Sequence, residues 1–204
     1  MTDNLPDISA DLPEIQESDE ISEVQEEIGL DTSVDFQIET DLQIQQAVDA
    51  IQQIENLDPS SWQSLDVNSR LEIVQNLENR MADIQDRPGV PVSVDETLPD
   101  NVFGVYNGQD ISINVNHLQS GMALDEFINT IVHEGRHAYQ DYAIQNPGFV
   151  SDLGTVNAWT ENLDSYLDPD LYGQELYANQ SIEADAFAYA NRISNALIAS
   201  SLER

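Results

Sequence analysis

The chain has 204 residues, with 39 acidic side chains against six basic ones, all Arg, for a net charge of −33. That balance argues against nucleic acid as a direct ligand, because phosphate binding relies on clusters of Lys and Arg; it favours basic partners, or a high-salt setting in which an acidic surface stays solvated. With no Cys there are no disulfides and no thiolate metal ligands, and no apolar run approaches the roughly 20 residues that span a bilayer.

Residues 1–40 carry thirteen acids and no base. So much charge on so little apolar surface does not offset ordering entropy, and the segment reads as a disordered acidic tail or leader. Met1-Thr2-Asp3-Asn4 lacks the basic and apolar regions of a signal peptide. The protein is therefore expected in the producer's cytoplasm, or secreted by a system that uses no such peptide. Helical spacing begins near Asp41 with Ile44, Val48, Ile51 and Ile54 and stops at Asp58-Pro59. Asp58 is placed to cap a short turn carrying Trp62. Asp66 then caps a helix whose stripe is Val67, Leu71, Val74, Leu77, Met81 and Ile84, ended by Arg87-Pro88-Gly89. From residue 90 the period changes. Val90–Val94 alternates, and Val102–Tyr106 and Ile111–Val115 flank Asn107-Gly108, which predicts a β-hairpin. A helix follows over Ala123–Tyr142, with Leu124, Phe127, Ile128, Ile131, Ala138 and Tyr142 toward the core and Asn146-Pro147-Gly148 closing it. Residues 151–166 predict another helix, 167–174 a looser stretch, and the last helix runs from Glu175 or Asn179 to Leu202.

The helix over Ala123–Tyr142 contains His133-Glu134-Gly135-Arg136-His137, an H-E-x-x-H motif. Residues four apart share a helix face, so His133 and His137 can offer two imidazoles to one metal ion, with Glu134 beside them as general base. A hydrolytic zinc site needs a third protein ligand. His117 is the one remaining imidazole, sixteen residues upstream, and reads better as a polar turn residue. The stronger candidates are Glu183 and Asp185, acids among small and apolar neighbours on the last helix. Two residues apart on a helix is about 200° of rotation, so only one can face the ion. Glu183 is favoured as ligand, with Asp185 holding a ligand His by its second ring nitrogen. The reverse assignment, or pairing of Asp185 with Arg136 or Arg192, is the alternative. Gly135 suits close helix packing, and Tyr139, Tyr142, Trp159 and Tyr166 read as core.

The motif together with Ala138-Tyr139-Gln140, Trp159, Asn162, Tyr166, Tyr177 and Glu183-x-Asp185-Ala186 resembles small bacterial zincin metallopeptidase domains. It is most similar to gluzincin-type modules that serve as toxins or effectors. The resemblance covers roughly residues 60–195. It implies a Zn2+ cofactor, Glu183 as third ligand, and a Tyr that helps polarise the scissile carbonyl, with Tyr177 the first choice and Tyr189 the second. The expected fold is α+β and mainly helical, zincin-like over 41–204, with a small antiparallel hairpin beside the motif helix. The expected activity is zinc-dependent cleavage of a protein or peptide substrate, preferentially basic; an acidic zincin-fold module that binds a basic partner without catalysis is the alternative. An export chaperone or inhibitor is a further expected partner, with the tail as its docking segment or as an inhibitory prosegment.

Overall fold

Apolar residues spaced three and four apart dictate most of this structure, a computed structural model that describes residues 32–120 and 123–202. The tail reading for residues 1–31 lies outside the described residues. Helix α1 (Thr32–Ile51) buries Ile44, Ala47, Val48 and Ile51. It begins nine residues before the predicted start near Asp41 (41 − 32). Phe36 accounts for the extra turns, because its ring meets Trp159 edge-on at 6.0 Å and anchors a segment whose charges conceal the amphipathic pattern.

The predicted caps form. Asp58 Oδ1 accepts from the backbone N–H of Ser60 and Ser61 at the start of α2 (Pro59–Ser64), and Asp66 Oδ1 from Ser69 N at the start of α3 (Val67–Ile84). Trp62, Val74, Leu77 and Met81 enter the main core. Arg70 is buried and donates to the carbonyls of Trp62, Gln63 and Leu118, which ties α2 to α4 (Val115–Ser120), the short helix ahead of the motif.

Three short strands form one sheet in the order β1 (Val92–Asp95), β3 (Ile111–Asn114), β2 (Gly104–Tyr106). The predicted hairpin is β2 and β3, paired antiparallel with Tyr106 opposite Ile111. The sheet is nevertheless mixed, and this corrects the antiparallel expectation: β1 runs parallel to β3, Val92 opposite Ile111. The chain after β1 must cross to the far side of β3 before β2 begins. Asn114 holds that crossing, since its buried Nδ2 donates to the carbonyls of Leu98, Pro99 and Val102. The result leaves β2 on the sheet edge against the motif helix.

That helix, α5 (Leu124–Gln145), buries Phe127, Ile128, Ile131 and Ala138 as expected. It is followed by α6 (Leu153–Asp164), the short helices α7 (Pro169–Tyr172) and α8 (Gln174–Ala178), and α9 (Ser181–Leu202), which packs along α5. Among the described residues no helix is long and apolar enough to cross a membrane.

Gly135 is where α5 meets a buried ion pair. Arg87 donates both terminal nitrogens to Glu78, at 2.7 and 3.0 Å, with neither side chain exposed. A Cβ on Gly135 would stand 2.9 Å from Glu78 Oε2 and 3.1 Å from Arg87 Nη2. Gly135→Ala gains about 1 kcal/mol of helix propensity. It also forces apart a fully desolvated pair, and strain of this kind in a packed interior costs about 1–3 kcal/mol, with more lost if the pair breaks. A net loss of about 1–2 kcal/mol in urea unfolding is the expected outcome; an unchanged or raised midpoint would refute it.

Candidate metal centre

Packing of α9 on α5 brings three side chains to one point. His133 Nε2 and His137 Nε2 lie 3.1 Å apart, and Glu183 Oε2 lies 3.4 Å from the first and 3.5 Å from the second. His133 and Glu183 are buried and His137 nearly so. These three residues form a group able to hold a metal ion: the two imidazoles that the i, i+4 spacing predicted, and the acid favoured on the last helix. Two observations test the fit. Donors held tetrahedrally at about 2.0–2.2 Å from an ion lie about 3.3–3.6 Å from one another, which the observed triangle matches within a few tenths of an ångström. Glu183 Oε2 is also buried, and its nearest polar neighbours are the two imidazole nitrogens at 3.4 and 3.5 Å, a setting whose chemistry suits a cation.

Two of the three ligands are oriented from behind by hydrogen bonds, whereas His133 Nδ1 is buried without a partner and its ring is held by packing. Gln140 donates Nε2 to the Ile182 carbonyl and to Asp185 Oδ2, both at 2.8 Å, so its Oε1 must be the atom facing His137 Nδ1 at 2.8 Å. In the neutral ring Nδ1 therefore carries the proton, and Nε2 is the nitrogen whose lone pair faces the site. Tyr166 donates its hydroxyl to Glu183 Oε1 at 2.7 Å, which leaves Oε2 as the oxygen turned toward the imidazoles. The ring of Phe187 packs 4.3 Å from that of His133.

Glu134 stands on the same helix face. Its Oε2 accepts from the backbone N–H of Tyr106 at 2.8 Å. Gly104 permits this approach of β2, because a Cβ there would meet Thr130 of α5 at 3.1 Å and Ile113 at 3.0 Å. Between β2 and the segment after α6 lies a cleft of about 520 Å3 lined by Glu134, His137, Glu183, Tyr106, Tyr166 and Tyr177, among others. A larger apolar cavity of about 750 Å3, beside Ile51, Trp62 and Leu197, contains none of the three ligand residues.

Several expectations change. Asp185 does not touch a ligand His. It forms a bidentate pair with Arg136, 2.8 Å to Nε and 3.1 Å to Nη2, and reaches His137 only through Gln140. The buried guanidinium lies against the rings of Tyr139 and Tyr189, and the pairing with Arg136 was the weighed alternative. Tyr189 is thus in the core beneath Arg136 and does not line the cleft. Tyr177 does line it, beside Tyr166. Burial raises the Tyr177 hydroxyl far above the ordinary value, and the charge of Glu183 and hydrogen bonding to that carboxylate and to Tyr166 raise it further, so it stays a proton donor. Tyr166 is half exposed and bonded to Glu183, contrary to its reading as core. His117 lies elsewhere, with Nε2 at 2.7 Å from the Asp100 carbonyl and its ring against Phe103. Gln140 was missed as the His137 partner, although an amide one turn beyond the motif was the available signal.

Without metal, His137 favours its protonated form beside the Glu183 carboxylate. Burial disfavours charge on His137, but its hydrogen bond to Glu183 and the charges of Glu134 and Glu183 outweigh this and raise it to about 9. Burial likewise opposes charge on Glu183, yet hydrogen bonding with His133 and His137 holds its carboxyl well below the usual range. A raised His pKa stabilises the metal-free fold fully below about 6.5 and loses that contribution as pH climbs through about 9. A metal ion needs the deprotonated imidazole, so it must displace this proton. Calorimetric titration with zinc in buffers of different ionisation enthalpy is expected to show about one proton released per ion near pH 7.5. Affinity should rise with pH toward about 9, and binding without proton release would contradict this assignment.

No protein-family model, curated protein or solved structure matches the chain, so its functional reading rests on this geometry.

Proposed function

We propose that this protein is a zinc-dependent endopeptidase of the zincin type. The observation that carries the reading is the convergence of His133 Nε2, His137 Nε2 and Glu183 Oε2 at a cleft that His137, Glu183 and Glu134 line. Two imidazoles and one carboxylate are a donor set of catalytic zinc sites that leave a position open. Zinc bound there would lower the pKa of a coordinated water to about 7 and polarise a carbonyl oxygen.

The chain's own residues supply the rest. Glu134, held through Oε2 by the Tyr106 N–H, takes the proton from the attacking water and passes it to the leaving amine as the C–N bond breaks. Tyr177, kept protonated, donates to the oxygen on which charge develops. Tyr166 keeps Glu183 turned so that one oxygen faces the two imidazoles. In the β2–β3 ladder, Val105 pairs with Ser112 and the Phe103 carbonyl accepts from Asn114 N, so Gly104 and Tyr106 turn their backbone groups away from β3. An extended peptide added along that edge would pass Glu134.

A macromolecular substrate is favoured by exposed apolar side chains in the segment that borders the cleft: Leu163 lines it, and Leu171, Tyr172 and Leu176 follow in the chain, Leu171 at 78 % exposure. The net charge of −33 favours a second reading, an acidic module that occupies a basic partner with the metal purely structural. One variant separates them. Glu134→Gln is expected to keep about one zinc per chain and to lose about 10²–10⁴-fold in hydrolysis of a denatured protein substrate. His133→Ala and Glu183→Ala should lose the zinc, read by mass spectrometry. Full function in Glu134→Gln would reject the peptidase and leave the binding module.

A further inference from the structure

Asp141 lies one helical turn beyond His137, on the face of α5 that carries both imidazoles, and it lines the same cleft. Its Oδ2 accepts from the Tyr106 hydroxyl at 2.9 Å and its Oδ1 from Gln145 Nε2 at 2.7 Å. Both donors are neutral, so they orient the carboxylate without cancelling its charge. Tyr106 also reaches Glu134 through its backbone N–H, so one residue of the edge strand touches both the general base and Asp141.

Charge in the cleft does not balance. A dication held by the ligand group would offset Glu134 and Glu183 and leave Asp141 as one surplus negative charge. Among the described residues no Arg lines the cleft. Arg70, Arg87 and Arg136 are buried elsewhere, and Arg192 is paired with Asp41. We infer that Asp141 and Tyr106 form a subsite for a Lys or Arg side chain of the peptide strand bound along β2, close to the bond being cut. The aliphatic stem of such a side chain would lie on the Tyr106 ring while its charge meets the carboxylate. The occupant rests on the peptidase reading, whereas the subsite rests on the placement of Asp141.

The test uses full-length, zinc-loaded protein and peptides that differ only by Lys, norleucine or Glu at each position in turn. Binding is measured by anisotropy at 0.15 M salt on the Glu134→Gln background, and hydrolysis on the native background. Lys at one position should tighten binding about three- to tenfold over norleucine, the range of a half-buried ion pair. Asp141→Asn should bring that ratio to about one, and Asp141→Arg should turn it toward Glu. Glu72→Gln, which removes an exposed acid of α3 outside the cleft, should leave the ratio as it was. Asp141-dependent Lys selection without cleavage supports the subsite and rejects the peptidase. Cleavage with a Lys ratio unmoved by Asp141→Asn, or moved equally by Glu72→Gln, overturns the subsite and leaves the peptidase standing. Absence of any Lys selection in binding overturns the subsite as well.

Discussion

Arg136 is a permanently charged guanidinium with no exposed surface, and the alignment of the metal centre follows from how its charge is met. Taking such a group out of water costs several kcal/mol, and Arg cannot escape by losing its proton. Asp185 answers with both oxygens, while the rings of Tyr139 and Tyr189 cover the guanidinium at 4.2 and 4.6 Å. Helices α5 and α9 can therefore pack closely in only one register, the one that brings Asp185 to Arg136. Arg136 precedes His137 by one residue and Asp185 follows Glu183 by two. The register that satisfies the ion pair is the register that sets Glu183 against the imidazoles. Asp185 Oδ2 also receives Gln140, whose other atom fixes the His137 tautomer. A single buried pair thus sets helix register and ligand protonation together.

The motif helix is consequently a two-sided device. Its front face carries Glu134, His137 and Asp141 to the cleft, with His133 buried behind them against His137. The two spacer residues of the motif belong to the back, where Gly135 lies on the Glu78–Arg87 pair and Arg136 on the aromatic rings. Both back-face positions carry constraints as strict as those on the ligands. One needs the absence of a side chain, and the other needs a charge with one matching partner. On the front face Glu183 Oε2 and the two imidazole nitrogens converge within 3.5 Å of one another, a group able to hold a metal ion, while the back of the helix is held by its own buried partners.

The long helices, the caps at Asp58 and Asp66, the hairpin and the His133–His137 pair were legible in the sequence because each depends on short-range periodicity or on residues four apart. Glu183 stood out as an acid among small and apolar neighbours, and the short helices Val115–Ser120 and Pro169–Tyr172 were not expected. What was hidden depends on partners distant in the chain. The start of α1 is set by Phe36 meeting Trp159, and local acidity pointed the other way. The parallel placement of β1 follows from a crossing held by Asn114, which local alternation cannot encode. Asp185 was placed on the correct helix but given the wrong neighbour, since about 200° of rotation turns it away from the ion and only the fold shows that Arg136 waits there. Tyr166 and Tyr189 exchanged expected roles for the same reason. An aromatic residue at helical spacing reads as core until the loop after α6 is seen to turn it toward Glu183.

The charge of the chain acts at two ranges, and the fold separates them. Of the five described Arg, three are buried to tie elements together, and Arg192 is held by Asp41, so the surface field is set by acids. In physiological salt that field decays over about 8 Å, enough to draw a basic partner toward the surface but too diffuse to choose between neighbouring peptide bonds. Choice at the cleft must come from charges that solvent and salt screen less. There the metal would balance Glu134 and Glu183, which leaves Asp141 as the charge a substrate side chain meets at close range. In the proposed peptidase reading, long-range attraction would come from the acidic surface, while selection would fall to the one turn of helix that carries His137 and Asp141.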